Sequence, residues 1–191
     1  MSILTKPLPD YVTANEKQYR VNTDYRVWLE FDRVIHLNIP DREKMYRVFK
    51  LCYIDEIPYN FIAAYKALMV FYAAKEERDD CSIVPSSEGK QSVKSFDFEE
   101  DAPYIFAAFM SEYGIDLTKI DLHWWLFTAL LTALGENNKF TKIVSWRGMN
   151  LSKIKNKEQR EMIAKMKRLY KLKDNRSPEE IEADFAEQFW I

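Results

Sequence analysis

The stretch Asp121–Gly135, DLHWWLFTALLTALG, constrains the fold more than any other part of the chain. A surface helix usually carries one apolar stripe and one polar face. Here Leu122, Trp125, Leu126, Ala129, Leu130 and Ala133 make one stripe, and Trp124, Phe127, Leu131 and Leu134 fill most of the rest of the wheel. Only Thr128 and Thr132 leave a thin polar seam. A helix apolar nearly all round is buried on most sides or sits in a membrane. The run falls short of the about 20 apolar residues that span a bilayer. It therefore reads as the central helix of an all-helical domain, with Asp121 as N-cap and Gly135 as C-cap.

Apolar residues recur at helical spacing on both sides of it. Tyr25, Trp28, Leu29, Ile35 and His36 mark a first helix capped by Asn22 or Thr23, with Asp24 in its first turn. Met45, Val48, Phe49 and Cys52 mark a second, after the break at Asn38–Asp41. A third starts with Pro58 in its first turn, runs to Lys75, and has the stripe Phe61, Ile62, Tyr65, Leu68, Met69 and Tyr72. Asp101 and Pro103 announce a fourth, with the face Ile105, Phe106, Phe109, Met110 and Tyr113, stopped by Gly114. Beyond the central helix, Phe140–Trp146 makes one or two turns. Asn156 and Gln159 resemble a capping box opening a basic helix, with the stripe Met162, Ile163, Met166, Leu169 and Tyr170. Ser177-Pro178-Glu179-Glu180 opens a last helix, lined by Ile181, Phe185, Phe189 and Trp190. Near the N-terminus, Tyr11-Val12-Thr13 and Tyr19-Arg20-Val21 flank Asn15-Glu16-Lys17 as a hairpin.

The expected fold is mostly α: a single bundle-like domain of about seven or eight helices with a small N-terminal β-hairpin. Its expected parts are an arm and hairpin over 1–22, a helical part over 23–76 and a mobile loop over 77–98, where Ser, Asp, Pro and Gly accumulate. A helical core over 99–174 and an acidic amphipathic helix over 177–191 follow. Trp28, Phe109, Tyr113, Trp124, Trp125, Phe127 and Leu130 are the expected core. With 47% hydrophobic residues among 191, the chain can bury a real core, and only 4 glycines argue against a turn-rich sandwich or Gly-rich phosphate loops. The first ten residues hold no apolar run of signal-peptide length, so the expected location is the cytoplasm that makes the protein.

Charge is unevenly spread. Residues 139–176 carry 13 Lys or Arg against 3 acids, residues 1–138 carry 15 against 22, and the last 15 residues carry 5 acids and no base. An acidic body, a basic helix and an acidic tail invite pairing within the chain or between copies. The basic helix, Lys153–Lys173, could contact phosphates, but no stacking aromatics interleave with its cations, so a solvated or protein-docking face is the preferred reading and nucleic acid is not the expected partner.

No catalytic motif is present: there is no HExxH, GxSxG, P-loop or GxGxxG. His36 and His123 read as packed or capping residues, and the distant Cys52 and Cys81 make no metal-ligand pattern. The expectation is no catalytic residue, no metal and no cofactor. Trp124 and Trp125 point about 100° apart on a helix and cannot form one cage. The aromatic tail can be a last core element or an arm inserted into a neighbouring copy or another protein.

Several strings together resemble the bacteriophage gp fifteen family: Tyr19–Arg26 (YRVNTDYR), Tyr104–Phe109 (YIFAAF), Tyr113–Leu117 (YGIDL) and His123-Trp124-Trp125. The likeness continues through Trp146-Arg147 to Tyr170-Lys171-Leu172, with Trp146 standing where the family more usually has tyrosine. It does not extend to the 77–98 stretch or the final helix. The resemblance implies a tail assembly chaperone in the cytoplasm of the infected bacterial host. Such a protein self-associates, coats the tape-measure protein without catalysis, and possesses no membrane segment; a second tail assembly chaperone is a further candidate partner. Expected contacts with partners are Phe185, Phe189 and Trp190 in the tail and Lys165 and Arg168 on the basic helix. The alternatives are a minor tail protein retained in the virion and a nucleic-acid-binding phage protein using residues 153–173.

Overall fold

The computed structural model describes residues 5, 7–74 and 95–173. Among them lie a two-stranded antiparallel hairpin and seven α-helices, so the fold is mostly α as expected. The strands are β1 (Tyr11–Ala14) and β2 (Lys17–Arg20). The helices are α1 (Tyr25–Ile35), α2 (Asp41–Cys52), α3 (Phe61–Tyr72), α4 (Ala102–Tyr113), α5 (Trp124–Thr132), α6 (Lys139–Gly148) and α7 (Lys157–Leu169), with one 3-10 turn at Leu151–Lys153.

The hairpin turns on two residues, Asn15 and Glu16, both at positive φ (48° and 64°). That backbone matches the right-handed twist of the strands it joins. Lys17, expected in the loop, already pairs with Ala14. Val12, Ala14, Tyr19 and Val21 are buried on one side. A hairpin alone is marginal, and this one is stitched to the end of α2. Asn22 N–H donates to the Cys52 carbonyl at 2.7 Å, and Ile54 N–H donates to the Arg20 carbonyl at 3.2 Å.

The central joint lies between the N-termini of α1 and α5. Tyr25 N–H donates to the Leu122 carbonyl at 2.9 Å, and Trp124 N–H donates to the Thr23 carbonyl at 2.7 Å. Each helix thus satisfies one of the orphan donors that open the other. The caps follow from this joint and differ from those expected. Asp24 itself caps α1 by accepting from Arg26 N–H at 2.8 Å, displacing Asn22 and Thr23 from that role. His123, not Asp121, caps α5, and the helix stops at Ala133, not Gly135. The chain leaves the helix there so that Leu134 can enter the core, while Gly135 N–H donates to the Glu112 carboxylate at 2.9 Å.

The buried face of α5 also differs. Trp124, Phe127 and Leu131 point inward, while Leu126 is 39% exposed and Ala129 is exposed. Within the first expected stripe Leu126, Ala129 and Ala133 turn outward, because the inner aromatic set meets rings from four other segments. Phe127 stacks on Tyr25 (4.9 Å) and Phe109 (5.3 Å), and Trp124 stacks on Tyr72 (5.3 Å). Trp28, fully buried, stacks on Phe71 at 4.7 Å. Of the residues expected in the core, Trp28, Phe109, Trp124 and Phe127 are buried, and Tyr113, Trp125 and Leu130 are half-buried against it.

In α3, Asn60 is the cap and Pro58 lies outside the helix. The buried side is Ala64, Ala67, Leu68 and Phe71; small alanines allow a close approach to the neighbouring elements. Phe61 and Ile62, expected to face inward, are 60% and 65% exposed. In α4, Gly114 adopts φ +66° and ends the helix as expected, while Phe106 and Met110 turn outward. The loop expected over 77–98 lies outside the described residues up to position 94. Phe96 and Phe98, at its end, are half-buried and pack on Phe140 and Phe127. The last helix, with Phe185, Phe189 and Trp190, also lies outside the described residues.

A buried ion pair ties the second half together. Arg147 on α6 holds Asp101, before α4, through two bonds of 2.5 and 2.9 Å, with the side chains 8% and 1% exposed. Arg147 Nε also donates to the Tyr170 carbonyl beyond α7 at 2.6 Å. Removing one partner of such a pair leaves a buried charge uncompensated. Arg147→Met is expected to lower stability by about 3–5 kcal/mol in urea unfolding, and the double change Asp101→Leu with Arg147→Met by far less.

Candidate functional site

The motif His123-Trp124-Trp125 acts as a clamp on three segments. His123 Nδ1 accepts from Trp125 N–H at 3.0 Å. Its Nε2 therefore carries the proton and donates to the Pro9 carbonyl at 2.9 Å. Both ring nitrogens are thus committed to backbone, and burial holds the imidazole below its usual pKa. The two indoles reach the same place although they leave α5 in different directions, because the end of α3 crosses the start of α5. Trp124 Nε1–H donates to the Tyr72 carbonyl at 2.8 Å, and Trp125 Nε1–H to the Phe71 carbonyl at 2.9 Å. Those carbonyls belong to the last turn of α3, where helical partners run out.

His36 caps the other end of α1. Its Nδ1 lies 2.7 Å from the Asp32 carbonyl, while the Asp32 carboxylate, nearly buried, accepts from Tyr72 O–H. The sequence reading missed Asp32; its place four residues before His36 was the available signal. Among the described residues no group of three or more His, Cys, Asp or Glu side chains could hold a metal ion. Cys52 is buried, and desolvation raises its thiol pKa well above the ordinary range.

Among the described residues, three surfaces stand out. A groove of about 400 Å³ runs between α1 and α4 over α5, floored by Tyr25, Leu29, Phe98, Ile105 and Phe127. Arg26 closes one end, donating to the Leu117 carbonyl at 3.0 Å and the Ile120 carbonyl at 2.8 Å while pairing with Asp24 and Asp121. The corner between α2 and α3 exposes several large apolar side chains: Ile54, Ile57, Tyr59, Phe61 and Ile62 all face solvent, with Tyr59 97% exposed. Asp55 and Glu56 at this corner pair with Arg20 and Lys17 of the hairpin. On α7, Lys165 and Arg168 are exposed beside Met162 and Leu169, while Ile163 faces inward. The structure brings Lys165 and Arg168 onto one helix, and their expected companions Phe185, Phe189 and Trp190 lie outside the described residues.

The strings that carry the family resemblance meet at two points. YRVNTDYR, YGIDL and HWW converge on the α1–α5 joint, where Tyr25 O–H donates to the Leu117 carbonyl at 2.6 Å. Trp146-Arg147 meets Tyr170, whose ring stacks on Trp146 at 5.7 Å.

Fold and surfaces together define a helical protein whose described histidines bond to the backbone and which exposes an apolar corner between α2 and α3. A model of the family described as Bacteriophage Gp15 protein matches residues 4–172, and the chain belongs to that family. It is thus a phage protein, and no described helix is long and apolar enough to cross a membrane. No curated protein and no solved structure matches it.

Two outcomes follow for the clamp. Trp125→Phe removes one donor from the α3 end and is expected to cost about 1 kcal/mol in denaturant unfolding; Trp124→Phe costs more, because it also opens a void in the core. The lowered pKa of His123 means that the unfolded chain binds its proton first. Its contribution is therefore complete above about pH 6.5 and is lost as pH falls through its lower folded value. His123→Asn keeps a capping oxygen, so its thermal midpoint should fall less than that of the wild type between pH 7 and pH 5.

Proposed function

We propose that this phage protein is a tail assembly chaperone. It self-associates and coats the tape-measure protein in the cytoplasm of the infected host, and it carries out no chemistry. The observation that carries the reading is the apolar corner between α2 and α3, where Ile54, Ile57, Tyr59, Phe61 and Ile62 stand in solvent next to a well-filled core. Large apolar side chains exposed so close together in the chain favour a protein-binding site. An apolar-striped helix, the form the resemblance implies for a tape measure, would lay its stripe along such a corner. The engagement of both His123 nitrogens by backbone groups supports a binding role over general acid–base work. Lys165 and Arg168, exposed on α7, are further contacts toward another copy, the tape measure or a second chaperone, as are Phe185, Phe189 and Trp190, which lie outside the described residues.

The nucleic-acid reading draws on one observation, the cationic side of α7, and predicts binding that weakens steeply with salt. Retention in the virion as a minor tail protein is the other alternative; mass spectrometry of purified particles separates it from a chaperone, which leaves before the particle is complete.

Co-expression with the tape-measure protein tests the proposal. The wild type should keep the tape measure soluble and co-purify with it. Tyr59→Ser, Phe61→Ser and Ile62→Ser combined should abolish co-purification while the thermal midpoint falls only modestly, since exposed substitutions cost about 0.5 kcal/mol or less each. Undiminished co-purification by that variant would remove the corner from the proposal, and failure of the wild type to bind would remove the function.

A further inference from the structure

Helices α4 and α5 carry almost no charge. Charged residues make up 30% of the chain, and α2 holds six in its twelve positions. The twelve residues of α4 and the nine of α5 hold one, Glu112. Its carboxylate is already engaged, accepting from Gly135 N–H at 2.9 Å and from the Asn138 amide at 2.7 Å. Burial does not account for the lack of charge on α4. Pro103, Phe106, Ala107 and Met110 fall on one side of that helix and are exposed, Phe106 by 36% and Met110 by 40%.

Phe106 also borders the groove between α1 and α4, over Tyr25, Leu29, Ile105 and Phe127. Among the described residues Arg26 is the one charged side chain lining that groove. It is taken up by Asp24, Asp121 and the Leu117 and Ile120 carbonyls. Lys119, next to Thr118 of the rim, pairs with Asp116 at 2.8 Å. An apolar ridge thus stands beside an apolar hollow, and the charges around them are matched within the chain. We propose that two copies of this chain pair about a two-fold axis across this face, the Phe106–Met110 side of each α4 lying over the groove of the other copy.

The electrostatics favour a second copy as the occupant. A charged ligand would find no unmatched charge in the groove to pair with. In a two-fold contact each residue near the axis faces its own counterpart, so a charge there meets a like charge. A side of α4 without charge avoids that repulsion. The same patch must also supply both halves of the contact, which requires ridge and hollow to lie side by side. Cores of protein interfaces are poor in charge and rich in aromatic residues and Met, and Phe106 and Met110 on an uncharged face fit that composition. The inference rests on the self-association in the proposed function and is independent of where the tape measure binds.

Sedimentation equilibrium of the full-length protein tests it. The wild type should be a dimer at micromolar concentration. Phe106→Glu and, separately, Ala107→Arg should each raise the dimer dissociation constant about a hundredfold or more, because a charge desolvated without a partner is costly. Both positions are exposed, so the thermal midpoints should stay close to that of the wild type. Tyr59→Ser, at the α2–α3 corner, should dimerise as the wild type does. A monomeric wild type would overturn self-association altogether, and this inference with it. Dimers unaffected by both α4 variants would overturn the face alone and leave self-association standing. An assembly that keeps growing with concentration would overturn the two-fold closure. If the α4 variants still dimerise but no longer co-purify with the tape measure, the face belongs to that protein and the pairing is overturned.

Discussion

Two backbone hydrogen bonds hold the structure in register: Tyr25 N–H to Leu122 and Trp124 N–H to Thr23. Helix N-termini need partners for donors that the helix cannot satisfy, and a buried donor without one costs about 1–3 kcal/mol. Here the first turns of α1 and α5 supply each other. Placing two positive dipole ends together is unfavourable by itself. The Asp24 carboxylate, accepting from Arg26 N–H, offsets that charge, and Arg26 binds the incoming 117–121 segment to the same point. A slip of either helix would break all of these bonds at once.

The aromatic core is arranged around that joint, and the polar tips of its rings are used as fasteners. Trp28, Trp124 and Trp125 donate their indole N–H groups to backbone carbonyls, as do Tyr25, Tyr53 and Tyr113 with their hydroxyls. Each such ring buries apolar area while its polar tip finds a partner on the backbone. The second half has a different fastener, the Asp101–Arg147 pair. Its planar fork reaches two carboxylate oxygens while a third nitrogen binds the Tyr170 carbonyl. One half is therefore fixed mainly by rings on backbone and the other by a buried charge pair. Among the described residues, large apolar side chains used in neither half stand exposed at the α2–α3 corner and along α7.

Much of this could be read from residue spacing, and the exceptions share a cause. The helices, the Gly114 stop and the Asn156 cap follow from local periodicity and capping chemistry, which act over a few residues. The strings of the family resemblance also lay in plain view, but their convergence on two joints did not, because they are separated by about a hundred positions. Arg147 stood within one of those strings and was given no role, since its partner Asp101 is 46 residues away. The outward turn of Phe61 and Ile62 was hidden for a related reason: hydrophobicity marks a side chain able to be buried, while the available neighbour decides whether it is.

The sequence alone determined that this chain would be helical with a short hairpin, because helix spacing, caps and turns are properties of adjacent residues. It also determined where the charge would lie along the chain. Only the tertiary structure decided which side of α5 and α3 faces the core, which histidine nitrogens are committed, and which carboxylate balances Arg147. Those outcomes depend on groups brought together from distant parts of the chain, whose hydrogen bonds and packing must all be satisfied at the same time.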